Sequence, residues 1–326
     1  MKKTWTAACL LTLLLCGCQS QAAYLKPYTA YTSAVSSDSS ALLQAQTAGT
    51  IGTEHAVVSV SDNDDNIYAS ELTGVDATEI FLTGTDDNTL IASSNVFHEM
   101  PMASLTKIMT ALVALKYGPS MDEMITLTED MYVTVDDAQV CGYQAGDVIS
   151  MKDLFYSMMV YSGNDAANAV AIATAGDITS FCDMMNSEAQ ALGATHTNFV
   201  TPHGLDDPNH YSTAYDLYLI FTECLKYDTF RDAMNNSSWT VSIQRGEETV
   251  RQTYESTDLY LVGTKTPPDG ITVLGGKTGT TESAGLCLIL YSEDDAGKGY
   301  ISVLLGCEDK DTLYASMNNL LALTGN

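Results

Sequence analysis

The feature that most constrains this chain is where its two apolar periodicities fall. Residues 78–83, 89–92, 286–291 and 300–305 carry short apolar, β-branched runs with strand character. Residues 103–230, between them, carry helical spacing instead. A strand can bury its apolar face only against a partner, so the two ends must meet across the helical block. The pattern predicts an α/β (α+β) fold: one antiparallel sheet drawn from both chain ends, with helices packed on it. A further strand is expected at 56–61, a turn at Asp86-Asp87-Asn88, another turn through 294–299, and a closing helix over 311–323.

The start of the chain reads differently. Lys2 and Lys3 precede an apolar run over 4–15 that is too short to span a bilayer and has the form of an export signal. It ends in Leu15-Cys16-Gly17-Cys18, which resembles a lipoprotein signal box with Cys18 as the acylated residue. Cleavage near Ala22 or Ala23 is the alternative and would yield a secreted protein. Residues 18–53 are rich in Ser, Thr, Ala and Gln without a sustained apolar period, as in a flexible tether. The expected organisation is therefore a signal over 1–17, a tether over 18–53 and one catalytic domain over 54–326.

Charge and cysteine usage exclude several functions. The chain carries 14 Lys+Arg against 41 Asp+Glu, a net charge of -27, which argues against a nucleic-acid partner. Beyond Cys9, Cys16 and Cys18, the remaining cysteines are Cys141, Cys182, Cys224, Cys287 and Cys307. Their spacing matches no metal-ligand pattern, so no metal and no cofactor is expected, and these thiols read as core fillers. His203 and His210 lie near Pro202 and Pro208 and read as loop residues rather than ligands.

Three places carry chemistry. Pro101 precedes a helix that is apolar nearly all round and stops at Gly118-Pro119. Lys107 in such a helix must be paired or neutral. Ser104, three residues earlier, shares its face. A lysine whose charged form is disfavoured can take the proton of a serine hydroxyl, and a helix start can help hold an oxyanion. The second place is Tyr161-Ser162-Gly163-Asn164, a tight loop between a helix opened by a Ser150/Asp153 capping box and a helix from 165 to 175. The third is Gly275-Gly276-Lys277-Thr278-Gly279-Thr280-Thr281, just before the strand at 286–291. Its glycines allow close approach, and a lysine beside hydroxyls suits a carboxylate. A phosphate loop would need a glycine where Ile271 stands and a following helix, and neither is present.

Taken in order, Ser104-x-x-Lys107, Ser162-x-Asn164 and Lys277-Thr278-Gly279 resemble the signature set of penicillin-binding proteins and class A β-lactamases. Within that superfamily the chain resembles the low-molecular-weight D-alanyl-D-alanine carboxypeptidases of the S11 peptidase type. The stretches around Ser104 and Ser162, Pro202-His203-Gly204-Leu205 and Tyr211-Ser212-Thr213-Ala214 carry that likeness.

The resemblance implies a β-lactamase/transpeptidase-like fold, peptidoglycan stem peptides as substrate and β-lactam antibiotics as acylating ligands. It implies that Ser104 is acylated, Lys107 is the base, Ser162 and Asn164 assist proton transfer and substrate binding, and Lys277 and Thr278 bind the substrate carboxylate. Gly279 belongs to the same strand, and the backbone N–H groups of Ser104 and Thr280 would form an oxyanion hole. The middle motif has Gly163 where the signature has aspartate. Relatives often carry an arginine after the last strand, where this chain reads Cys307-Glu308-Asp309-Lys310, so either Lys310 substitutes or Thr280 and Thr281 carry that task. They also often carry a β-rich second domain and a C-terminal amphipathic helix. Neither is expected here, so the lipid on Cys18 would anchor the domain to the outer face of the membrane. A β-lactamase is the rival enzyme, but residues 195–207 lack the glutamate that class A enzymes use. A non-catalytic β-lactam or muropeptide sensor is the rival outside enzymes.

Overall fold

The structure, a computed structural model, describes residues 72–86 and 89–325. The export segment, Cys18, the tether and the strand expected at 56–61 lie outside the described residues, as does part of the turn at Asp86-Asp87-Asn88. In chain order the first elements are β1 (Glu79–Gly84), β2 (Leu90–Ser94), α1 (Thr106–Tyr117), β3 (Met124–Thr126), β4 (Val148–Ser150), α2 (Met151–Val160), α3 (Asn164–Ala175) and α4 (Ile178–Leu192). There follow α5 (Ala214–Cys224), α6 (Asp228–Met234), β5 (Ser238–Arg245), β6 (Glu248–Glu255), β7 (Ile271–Thr281), β8 (Gly285–Asp294), β9 (Gly299–Cys307) and α7 (Lys310–Leu321).

The two chain ends do meet. The main sheet runs β2-β1-β9-β8-β7, antiparallel throughout, with Glu79 opposite Leu305 where the N- and C-terminal parts join. Alternate side chains serve two cores. Phe81, Ile289, Ile301 and Val303 face the helical block. Ile80, Leu82, Leu288, Leu290 and Leu304 pack with Leu313, Met317 and Leu320 of α7. With both faces covered, these strands need apolar residues on both sides, hence the near-continuous apolar runs.

Helix α1 is the centre of the helical block, packed by α2, α3, α4 and α5. Every residue from Thr106 to Ala114 is buried, as its all-round apolar sequence requires. Cys141, Cys182, Cys224, Cys287 and Cys307 are buried free thiols.

Two expectations need correction. The chain forms a second, four-stranded sheet, β3-β4-β5-β6, beside the helical block. Its first two strands have three residues each, and β6 is mostly exposed, so neither leaves an apolar period to read. The Ser150/Asp153 box is half made. Ser150 Oγ accepts from Asp153 N at 3.0 Å, capping α2. The Asp153 carboxylate turns instead to Trp239 Nε1 (2.9 Å) and Ser242 N (3.1 Å), fastening α2 to β5.

Candidate active site

The first motif sits where a 3₁₀ turn, Ala103–Leu105, runs into α1. Ala103 holds a left-handed backbone, φ 49°, which is strained for a residue with a Cβ. Surrounding groups hold it there. Thr106 Oγ1 donates to Ala103 O at 2.7 Å and lies 2.7 Å from His210 Nε2. His210 Nδ1 accepts from Val200 N at 3.0 Å, so in the neutral ring Nε2 carries the hydrogen and donates to Thr106. Burial pulls His210 down to about 4, which keeps the ring neutral at ordinary pH. Gly204, φ 86°, lies on the same turn: a Cβ there would stand 1.9 Å from Ala103 O.

Lys107 is fully buried and its ammonium position is closely defined. Nζ lies 2.9 Å from Ser104 Oγ, 2.7 Å from Asn164 Oδ1 and 2.9 Å from His203 O. Burial, followed by the charge of Lys277, holds it well below the usual lysine range. An amine whose charged form is disfavoured, bonded to a half-buried hydroxyl, has the arrangement of a base beside a nucleophile.

The second motif is placed by the short link between α2 and α3. Ser162 is left-handed, φ 66°, and Asn164 is the first residue of α3. Asp165 secures this link to residues 141–143: its carboxylate accepts from the backbone N–H groups of Cys141 (2.7 Å), Gly142 (2.9 Å) and Tyr143 (3.2 Å). Gly163 has a packing reason, since a Cβ there would sit 2.3 Å from Cys141 Sγ.

The third motif lies within a strand. That strand is β7, at the edge of the main sheet among the described residues. A Cβ on Gly279 would meet Met102 O at 2.9 Å and Ser104 N at 3.1 Å, which shows how closely β7 passes the start of the nucleophile helix. Lys277, 1% exposed, donates to Ser162 Oγ at 2.9 Å and to Thr278 O at 2.9 Å. Burial lowers its pKa to about 7. Thr278 Oγ1 lies 2.5 Å from Thr257 Oγ1.

The three motifs converge on an open cleft of about 280 Å³ lined by Ser104, Ser162, Asn164, Thr278, Thr280 and Lys310. Exposed Lys310, at the start of α7, stands on its wall near β7. Several participants escape sequence reasoning. The His203 carbonyl acts through backbone, which no residue-type pattern reports. His210 belongs to a loop but is buried, 2% exposed. Thr257 reaches Thr278 across 21 positions of chain. Asp165 lies inside the stretch 162–167, where its side chain was the available signal.

Comparisons with known proteins bear on the family and the fold. The model of the S11 peptidase family, D-alanyl-D-alanine carboxypeptidase, matches residues 66–309. The D-alanyl-D-alanine carboxypeptidase DacC of Escherichia coli is 32% identical over 259 residues, 77% of this chain and 62% of its own length. DacB2 of Mycobacterium tuberculosis is 34% identical over 193 residues, 58% of this chain and 60% of its own. The chain thus spans about three-fifths of the length of these relatives. Among solved structures, the Streptomyces K15 DD-transpeptidase superposes with a TM-score of 0.70 at 25% identity, covering 76% of this chain and 96% of that one.

Gly204→Ala is expected to lower stability by about 3 kcal/mol or more, because the new methyl must push against the Ala103 carbonyl while φ stays positive. Urea unfolding measures this. A loss under 1 kcal/mol, the ordinary value for an unconstrained position, would mean that the Ala103 turn is not held from this side.

Proposed function

Since the chain belongs to the S11 peptidase family of D-alanyl-D-alanine carboxypeptidases, we propose that it removes the terminal D-alanine from peptidoglycan stem pentapeptides through an acyl-enzyme on Ser104. The observation that carries this reading is the buried Lys107 amine, 2.9 Å from Ser104 Oγ, whose charged form burial disfavours. Lys107 takes the Ser104 proton as Oγ attacks the penultimate D-alanine carbonyl. Backbone N–H groups of Ser104 and Thr280 receive the oxyanion. The peptide C–N bond then breaks, and the leaving amine takes the proton that Lys107 removed, relayed through the Ser162 hydroxyl, which Lys277 holds in place while keeping its own proton. D-alanine departs, and water cleaves the Ser104 ester with the same groups acting in reverse. A β-lactam follows the same first step but keeps its leaving group attached, so the ester persists.

Asn164 positions Lys107 and the substrate amide. Lys277 and Thr278 seat the terminal carboxylate, with Gly279 leaving room on the strand, and Lys310 supplies a second positive charge from the cleft wall. This makes the enzyme an exopeptidase, since a free carboxylate orients the scissile bond. The enzyme works outside the cytoplasm, as one exported catalytic domain over 54–326. Lipid on Cys18 and the tether over 18–53 hold it to the outer face of the membrane. No helix among the described residues is long and apolar enough to cross a membrane.

Three outcomes follow. Penicillin adds covalently to the wild type in intact-mass spectra, whereas Ser104→Ala shows no adduct. Lys107→Arg, which keeps a charge that does not leave, also loses acylation; a full-yield adduct on either variant removes that residue from its role. Second, acyl-D-Ala-D-Ala with a free carboxylate turns over at least about tenfold faster than its C-terminal amide, as expected for a charged hydrogen-bonded pair. Lys277→Ala erases most of that preference and Lys310→Ala part of it. In the wild type the acid substrate has a bell-shaped kcat/KM profile. Activity falls with acid as Lys107 gains its proton, and falls with alkali as Lys277 loses its own, near 7 in the free enzyme. Equal rates for acid and amide exclude the carboxylate role. Third, Cys18→Ala releases active protein to the soluble exported fraction, and unchanged membrane attachment points to another anchor.

A further inference from the structure

The cleft uses two buried lysines for opposite purposes. Lys107 must lack its proton to act as base, while Lys277 must keep its own to hold an anion. Burial acts against the charge of both. Some feature must therefore favour the proton on Lys277 over the proton on Lys107.

Asp258 supplies one. It lies in the link between β6 and β7, 2% exposed. Its Oδ1 accepts from Tyr260 N at 3.0 Å, and apart from the nearby Tyr314 hydroxyl its buried Oδ2 has no hydrogen-bond partner among the described residues. A carboxylate oxygen so placed is unfavourable unless a nearby charge offsets it. The adjoining residue, Thr257, is fastened on both sides: its N–H donates to Val160 O at 3.2 Å, and its hydroxyl meets that of Thr278 at 2.5 Å. That clasp keeps Asp258 beside the part of β7 that bears Lys277. The titratable groups acting on Asp258 are Lys277 and the Tyr314 hydroxyl, which accepts from Leu259 N at 2.9 Å. Tyr260 in turn feels the Asp258 charge. On Lys277, the Asp258 charge is what opposes burial. The acid on the side of Lys107, Asp165, is already engaged by backbone N–H groups.

We propose that Asp258 is a positioning residue that keeps Lys277 cationic, so that one lysine of the cleft binds a carboxylate while the other remains a neutral base. The inference rests on the carboxylate role of Lys277 proposed above. Burial also raises Asp258 itself to about 6, so it is ionised at neutral pH, where this assistance is needed.

The test is the pH profile of kcat/KM for acyl-D-Ala-D-Ala and for its C-terminal amide. Removing a neighbouring negative charge lowers a lysine pKa. In Asp258→Asn the alkaline limb for the acid substrate moves down by about one pH unit, and the acid-over-amide ratio at pH 7.5 falls by roughly tenfold. Asp258→Glu, which keeps the charge, restores most of the ratio. Should Asp258→Asn fail to fold, Tyr314→Phe gives a smaller shift in the same direction, because it removes a hydroxyl that favours the ionised carboxylate. A wild-type enzyme that does not prefer the acid overturns the Lys277 reading and this inference with it. A wild-type preference that Lys277→Ala erases, with an alkaline limb unmoved in a folded Asp258→Asn or Tyr314→Phe, overturns this inference alone.

Discussion

The burial of Lys107 governs how the rest of the molecule is arranged. Taking an ammonium out of water costs several kcal/mol unless it is paired or loses its proton. Here α1 sits at the centre of the helical block, and no carboxylate is hydrogen-bonded to Nζ among the described residues. Its partners are a hydroxyl, an amide oxygen and a backbone carbonyl, each brought by a different part of the chain. That set accommodates a neutral amine and gives it a hydroxyl to deprotonate. The helices around α1 exclude water, and the loops at its N-terminal end deliver the acceptors.

Precision at this end comes from left-handed backbone. Ala103 and Ser162 both sit at positive φ, one beside the nucleophile and one within the second motif. Such conformations persist only when neighbours over-determine them. The chain from Val200 through His210 and Thr106 to the Ala103 carbonyl does so for the first. The Asp165 carboxylate, gathering the backbone N–H groups of residues 141–143, secures the link that bears the second. β7 then closes the cleft by passing so near the nucleophile turn that Gly279 has no space for a side chain.

The same low-dielectric setting explains why the two lysines differ. The charge of Lys277 lowers the tendency of Lys107 to hold a proton, so an asymmetry in surrounding charge helps to decide between them. Asp258 lies towards Lys277, and the Asp165 charge is spread over backbone N–H groups beside Lys107. The strongly acidic surface of the protein, net charge -27, repels anionic peptides at long range. On the proposed reading, recognition of a carboxylate then falls to few cations, the buried Lys277 and Lys310 on the cleft wall.

Much of this was legible in the residues. Two-sided burial makes strands read as continuous apolar runs, so β1, β8 and β9 are visible, and Lys107 within the nearly all-round apolar helix draws attention to Ser104 one turn before it. Local signals also predict α3 and its end at Gly176, whose left-handed cap favours glycine. The second sheet was not legible, because strands of three residues and an exposed hairpin leave little apolar pattern. Nor were the His203 carbonyl, the Thr257 clasp or the buried oxygen of Asp258, since each acts across long sequence separation. The sequence by itself determined which side chains are available for chemistry and that Lys107 must be buried, because those follow from residue type and local period. Only the tertiary structure decided which carboxylate stands near which lysine, because charge interactions depend on distance through the fold and not on order along the chain.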